Sequence, residues 1–283
     1  MTQHTLSPPT QTAFKLVQRE PSEPLRGIVS RISGYRELAR GHSRQHECAS
    51  LTVPLIISFG EPFAIGLGRA PTQADRIGSF AAGLYAGPVV IDSFGASHCL
   101  QIDFTPLGAR RFFRMPMDEL ADRMVTLDDV LGHDGLALRE QLGNTPDWPA
   151  RFELGERFVL SRIAESAAPS AEISLAFTRM AASGGRTTVS RLASGVGWSR
   201  KHLTEKFRSE LGLGPKAVAR IIRFDHAMKE ARSGHSGWAD IAAGCGFADQ
   251  AHLVREFQEL AGLSPSAWQA GYIPSRPMEP SLT

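Results

Sequence analysis

The chain has 283 residues, 42% of them hydrophobic and 21% charged, with a formal net charge of +2. That balance is ordinary for a globular protein and, at roughly 100–200 residues per domain, predicts two domains. Three cysteines, Cys48, Cys99 and Cys245, are far apart, odd in number and free of any CxxC or zinc spacing, which excludes a disulfide scaffold and points to a reducing compartment.

Residues 1–22 are polar and carry several prolines, and they read as a flexible N-terminus. Their opening, MTQHTLSPPTQTAF, lacks the basic start and apolar core of a signal peptide. No apolar run approaches the roughly 18 residues of a membrane span, because VPLIISF stops at Gly60, Glu61 and Pro62. A cytoplasmic protein with no membrane partner is therefore expected.

From residue 23 to 105, short β-type runs alternate with glycine-rich joints: LTVPLIISFG, FAIGLG, IGSFAAGLYA, PVVIDSF and HCLQIDF. This spacing, with no helical pattern between the runs, predicts an antiparallel β barrel or sandwich rather than a βαβ unit. His42 and His46 stand four apart in GHSRQHEC, beside Glu47 and Cys48. On a helix they would suit zinc; leading into a strand, they read as polar loop residues. At the mouth of a cupin-like barrel they would make a metalloenzyme the alternative function. Cys99, next to His98, reads as a strand cysteine rather than a thiolate. Cys245 reads as a small packing residue in a turn.

Residues 106–168 change to helical periodicity, broken at Pro116 and near Thr126, and read as a helical connector. Phe152, Leu154, Phe158, Val159, Ile163 and Ala164 fall largely on one face. The helix at about 150–166 is either a homodimer surface or a helix packed within its own domain.

Residues 169–275 hold an internal repeat, followed by a tail at 276–283. One copy is LASGVGWSRKHLTEKFRSELGLGP, Leu192 to Pro215, and the other is IAAGCGFADQAHLVREFQELAGLSP, Ile241 to Pro265. Ala193 aligns with Ala242, Gly197 with Gly246 and Trp198 with Phe247. After one inserted residue, Leu203 aligns with Leu253 and Phe207 with Phe257. Each copy has the parts of a helix-turn-helix: a small residue for close helix approach, a glycine able to take positive φ, an aromatic anchor and an N-cap (Ser199, Asp249). Leu203, Phe207 and Leu211 share one face of the second helix, as Leu253, Phe257 and Leu260 do in the other copy. The wheel turns Lys201, Thr204, Glu205 and Arg208 outward in the first copy. In the second it turns out Ala251, Val254, Arg255 and Gln258, with Gln250 at the leading edge. Arginine and glutamine suit guanine and adenine edges, and Ala251 suits a thymine methyl. Lys201 and Arg208 also suit phosphates. A helix from about Pro215 to Ala231, with Val218, Ile221, Ile222 and Met228, would hold both units so that they enter major-groove segments about 34 Å apart. From Ala182 to Tyr272 there are twelve Lys and Arg against eight Asp and Glu, an excess that favours a polyanionic partner such as double-stranded DNA.

LASGVGWSRKHLTEKF and, more strongly, IAAGCGFADQAHLVREFQELAGLSPSAW resemble the DNA-binding domain of AraC-type bacterial transcription regulators, over about Glu172 to Gly271. QIDFTPLGARRFF and MPMDELADRMVTLDDVLG resemble a subgroup with a β-rich N-terminal sensory domain. The resemblance implies an α+β chain: a cupin-like antiparallel N-terminal domain, a helical connector and an all-α double helix-turn-helix. It places base reading on Lys201, Thr204 and Glu205, then on Gln250, Ala251 and Arg255. Ser199, Arg200, Arg208, Asp249 and Gln258 complete the candidate DNA-contacting set, with Gly197 and Gly246 as structural turn residues. Glu205 departs from the basic or amide residue expected there; it suits a cytosine amino group but repels phosphate. The resemblance further implies an effector-responsive transcription activator, a small-molecule effector in the N-terminal domain and RNA polymerase as a partner. No GxSxG, Walker A, GxGxxG or HExxH occurs, so no catalytic residue, cofactor or metal is expected. A ligand-independent architectural DNA binder is the other alternative.

Overall fold

The computed structural model describes residues 14–38, 41–234 and 236–271. The fold is α+β, with an antiparallel β-rich N-terminal half followed by helices. Among the described residues the strands are β1 (Phe14–Arg19), β2 (Val29–Glu37), β3 (Ser43–Glu47), β4 (Val53–Ser58), β5 (Phe63–Leu67), β6 (Arg76–Ile77), β7 (Phe80–Ala82), β8 (Val89–Ser93), β9 (His98–Phe104) and β10 (Met124–Thr126). They form two antiparallel sheets, one of order β1-β2-β9-β4-β7-β10 and one of order β3-β8-β5-β6.

Strand alternation decides which side chains meet. Ile56, Phe80 and Cys99 on one sheet pack against Ile65, Phe63, Val89 and Ile91 on the other. The opposite face of the six-stranded sheet carries Ile32, Leu55, Ile57, Leu100 and Ile102, all fully buried. Helices α1 (Pro106–Phe113), α2 (Leu127–Asn144) and α3 (Trp148–Ala164) cover that face. The approach is close enough to require glycine within β2: a Cβ on Gly34 would lie 2.3 Å from the Trp148 ring.

Three expectations are corrected here. The flexible N-terminus does not reach residue 22, because Phe14–Arg19 pairs with β2 in register Phe14↔Glu37 to Arg19↔Ile32. Glu156 of α3 secures this segment, accepting from the Ser22 N–H at 2.9 Å and lying 3.4 Å from Arg19; residues 1–13 lie outside the described residues. The β-rich unit does not end at 105, since β10 pairs with β7 and forms an edge of the larger sheet. Residues 106–168 are not a connector: α1, α2 and α3 are one layer of the N-terminal unit. Phe152, Val159 and Ile163 of α3 are buried in its core, whereas Ala164 is exposed, so this helix packs within its own domain. The tail at 276–283 lies outside the described residues.

A buried cation sits where α3 meets the sheet. The Arg151 guanidinium lies 4.8 Å from the Phe59 ring centre and 4.9 Å from that of Trp148, and its Nη1 is 3.2 Å from His98 Nε2. Burial, with Arg151 beside it, pushes the His98 pKa down to about 4 from an ordinary 6.5. The folded state therefore holds His98 neutral while the unfolded chain takes up a proton between those values. Stability contributed by the neutral ring is present above pH 6.5 and is lost as pH falls toward 4, on the order of 2 kcal/mol once solvent screening of this half-buried ring is allowed for. Urea unfolding of His98→Gln at several pH values should show a flatter acid limb; a limb as steep as that of the unaltered chain would remove this account.

The C-terminal helices are α4 (Ala171–Ala182), α5 (Val189–Gly195), α6 (Arg200–Leu211), α7 (Pro215–Ser233), α8 (Trp238–Gly244), α9 (Gln250–Ala261) and α10 (Pro265–Gly271). They rest on the N-terminal unit at two places. The end of α6 packs on α1 and on the 3-10 turn Met117–Glu119, where a Cβ on Gly212 would lie 3.1 Å from the Met117 carbonyl. The end of α9 meets the β3–β4 loop: the Ala49 N–H donates to the Leu260 carbonyl at 2.8 Å, and Gly262 lies against Pro88. Among the described residues no helix is long and apolar enough to cross a membrane.

Candidate nucleic-acid interface

Both copies of the repeat fold as helix, tight turn and longer helix, and their backbone bonds match. The Trp198 N–H donates to the Ala193 carbonyl at 2.9 Å, and the Phe247 N–H donates to the Ala242 carbonyl at 2.9 Å. Gly197 has φ 72° and Gly246 has φ 79°, the left-handed conformation that glycine adopts without a Cβ penalty. Ala193 and Ala242 are buried at the helix approach, and Cys245 is buried beside the second turn. The extra residue of the second copy falls in that turn, at Ala248, so both second helices keep 12 residues.

The N-caps work as their residue types predict. Ser199 Oγ accepts from the His202 N–H at 3.1 Å, and Asp249 Oδ1 accepts from the His252 N–H at 2.6 Å. Glycines close both helices, Gly212 with φ 91° and Gly262 with φ 71°. Leu203, Phe207 and Leu211, and Leu253, Phe257 and Leu260, are all fully buried. The inward faces are therefore used up in packing, which leaves the outward faces free to meet a partner.

Of the outward residues, Arg200, Lys201, Glu205 and Arg208 are exposed on α6, and Thr204 is half-buried with its hydroxyl donating to the Arg200 carbonyl at 2.8 Å. Lys201 Nζ is 3.9 Å from Glu205 Oε1, and both ends are exposed. A pair this open contributes little stability, so the two charges can separate on meeting DNA. On α9, Gln250, Ala251, Arg255 and Gln258 are exposed and Val254 is half-buried.

The histidines that share one place in the repeat both have defined work. His202 stands edge-on to Trp198 and His252 edge-on to Phe247, with ring centres 4.6 and 5.5 Å apart. His252 Nδ1 also accepts from the Ala248 N–H at 3.2 Å, and its Nε2 lies 3.4 Å from Glu256. Each histidine ties its turn to its outward-facing helix; aligning the two copies one residue before Leu203 and Leu253 reveals the match.

The helix α7 holds the units together. Val218, Ile221 and Phe224 are fully buried in it, and Arg220 Nε donates to Glu256 of α9 at 2.8 Å. Glu210, buried on α6, accepts from the Ser170 N–H at 3.0 Å and hydroxyl at 2.8 Å, fixing the start of α4. Between α5, α6, α7 and Glu256 of α9 lies an open groove of about 1020 Å³, lined by seven Lys and Arg side chains against two Glu. Four of those cations, Arg186, Lys216, Arg220 and Arg223, lie outside the two repeat copies.

His42 and His46 stand on a strand edge rather than on one face of a helix. His42 Nε2 lies 3.2 Å from the buried Asp92. Hydrogen bonds from Arg44 and His42 hold the Asp92 carboxyl down to about 2. Among the described residues no group of three His, Cys, Asp or Glu side chains converges to hold a metal ion. Cys99 is buried between the sheets, and burial pushes its thiol up to about 12, which makes it a packing residue.

Comparison with known proteins separates the two halves. Residues 192–271 match the family described as a helix-turn-helix domain, and residues 17–126 match one described only as a domain of unknown function. An uncharacterized HTH-type transcriptional regulator of Staphylococcus aureus is 30% identical over 82 residues, 29% of this chain. The chain spans 11% of the length of that curated relative. Among solved structures, ToxT from Vibrio cholerae is similar over 92% of this chain and 98% of its own, with 10% identity and a TM-score of 0.46. The C-terminal domain of AraT, a response regulator from Geobacillus stearothermophilus, is similar over 40% of this chain and 95% of its own, with 19% identity and a TM-score of 0.37. The pair of helix-turn-helix units at the C-terminus thus lies within the stretch, residues 192–271, that matches the helix-turn-helix domain family.

Proposed function

We propose that the chain is a sequence-specific DNA-binding transcription regulator and not an enzyme. The observation that carries this reading is the duplicated unit: two 12-residue helices with the same caps and buried faces, each turning polar and basic side chains to solvent. Helices α6 and α9 would enter successive major-groove segments. Lys201, Thr204, Glu205, Gln250, Ala251 and Arg255 would face base edges, and Ser199, Arg200, Arg208, Asp249 and Gln258 would flank them. Two contacts with the N-terminal unit, at the ends of α6 and α9, support a regulated protein. A small molecule that shifted the Met117 turn or the β3–β4 loop would change how α6 and α9 are presented. An effector, RNA polymerase as partner, a homodimer and a cytoplasmic location all belong to this proposal. The test of the effector is DNA binding with and without cell extract.

Arg255→Ala tests the reading itself. On a selected duplex the substitution should cost about 1–3 kcal/mol and relax preference at one base pair, while binding to random duplex changes far less. Equal losses on both duplexes in a fluorescence titration would assign Arg255 to phosphate and take base reading away from this position.

A further inference from the structure

We propose that the junction between the two helix-turn-helix units, centred on Arg223 and Arg186, binds the DNA backbone phosphates that lie between the two major-groove segments. This rests on the DNA-binding reading and adds to it a site outside both outward-facing helices. Two helices set in successive major-groove segments leave a minor groove between them, walled by phosphates. Whatever surface joins the helices must face those phosphates.

The chemistry at the junction suits that place. Arg223 of α7 is half-buried, and its Nη1 donates to the Gly185 carbonyl at 2.8 Å. Its Nε has no partner, and among the described residues no carboxylate lies within ion-pair distance of it. Burial lowers its pKa although Glu256 acts the other way from beyond ion-pair distance, so the charge is held in partial shelter with no carboxylate paired to it, an arrangement that an arriving anion relieves. Arg220, one turn earlier, shows the contrast: its guanidinium is satisfied by Glu256 and Glu259. Gly185 makes the arrangement possible, because a Cβ there would lie 2.4 Å from the Ala219 carbonyl and 3.1 Å from Arg223 Cγ.

Arg186 straddles the junction. It precedes the first unit in the chain, yet its stem lies on the turn of the second, where a Cβ on Gly246 would come 2.8 Å from Arg186 Cγ. Its Nε donates to the Ser183 carbonyl at 3.0 Å, and the residue is exposed. Lys216, exposed at the start of α7, lines the same groove. A planar guanidinium matches phosphate oxygens two at a time, and such contacts set position on the duplex without reading bases.

The test uses the full chain, a random-sequence duplex, a selected duplex and a range of potassium chloride concentrations. Arg223→Gln should reduce the slope of log affinity against log salt by about 0.9, the value of one lost phosphate contact. It should weaken both duplexes by the same factor, and Lys216→Gln, on an exposed side chain that folding does not need, should reduce the slope likewise. Lys229→Gln, exposed on α7 and outside the groove, should leave it unchanged. If the unaltered chain binds DNA and neither Arg223→Gln nor Lys216→Gln alters the slope, the junction site is wrong and the DNA-binding reading stands. No binding by the unaltered chain overturns both. Inorganic phosphate supplies the other source of the same chemistry. Thermal stabilisation by phosphate at fixed ionic strength, lost in Arg223→Gln while the DNA slope is unchanged, would assign the site to a free anion instead. If Arg223→Gln fails to fold, Lys216→Gln and Arg186→Gln decide.

Discussion

Phe257→Ala should lower the stability of the C-terminal domain by about 3–5 kcal/mol. The ring is fully buried on α9 and stands edge-on to Phe224, Trp238 and Trp268, with centres 4.8, 5.4 and 5.9 Å away. Those partners come from α7, α8 and α10, so one side chain joins every helix of the second unit to the helix that links the units. Truncation removes the transfer free energy of a whole ring and the edge-to-face contacts, and four rigid helices cannot close over the space. Phe207, at the matching place on α6, is equally buried but has no ring neighbour at such distances among the described residues. Phe207→Ala should fall at the lower end of the range. Urea unfolding followed by tryptophan fluorescence measures both; a loss below about 1 kcal/mol for Phe257→Ala would mean that α9 is not held as described.

Gly246→Val should cost about 3 kcal/mol or more and uncouple the second unit from the first. Two effects add. A β-branched residue at φ 79° is strained by at least 1–2 kcal/mol. A Cβ at that site also meets Arg186 at 2.8 Å, well inside contact distance. Gly197 separates the two effects: its φ is 72°, and a Cβ there meets nothing within 4 Å. Gly197→Ala should therefore show the backbone penalty alone, and Gly246→Ala should cost more. Combining Gly246→Ala with Arg186→Ala should remove most of the difference, since neighbours sharing one contact are not additive. Equal costs for the two alanine substitutions in thermal unfolding would sink the assignment of Arg186 to this turn.

These predictions draw on parts of the molecule that differ in how far the sequence reveals them. The duplicated unit is plain because its determinants are local: Gly197 and Gly246 mark turns, Ser199 and Asp249 mark helix starts, and a four-residue spacing marks the buried face. The N-terminal unit is plain only in outline. Strand β10 is three residues long and exists through its pairing with β7, a partner more than forty residues away, so no local pattern announces it. Strand β1 follows a proline-bearing polar stretch, and its Phe14 and Leu16 remain exposed at the sheet edge; pairing with β2 and the grip of Glu156 hold it. Helices α1 to α3 show an apolar stripe, but a stripe does not say what it packs on. The glycine at 34, which looks like a weakness in a strand, is explained only once Trp148 lies over it. Arg223 is the same kind of case, because its unpaired Nε depends on where Gly185, Glu256 and Arg220 fall in three dimensions.

Selection of bound duplexes from a random-sequence pool by the full chain tests the central claim most directly. Two outward-facing helices joined by one rigid helix should enrich sequences with two short recurrent blocks, their centres about 10–10.5 base pairs apart. Enrichment of a single block, or a bound pool indistinguishable from the starting one, would contradict the account.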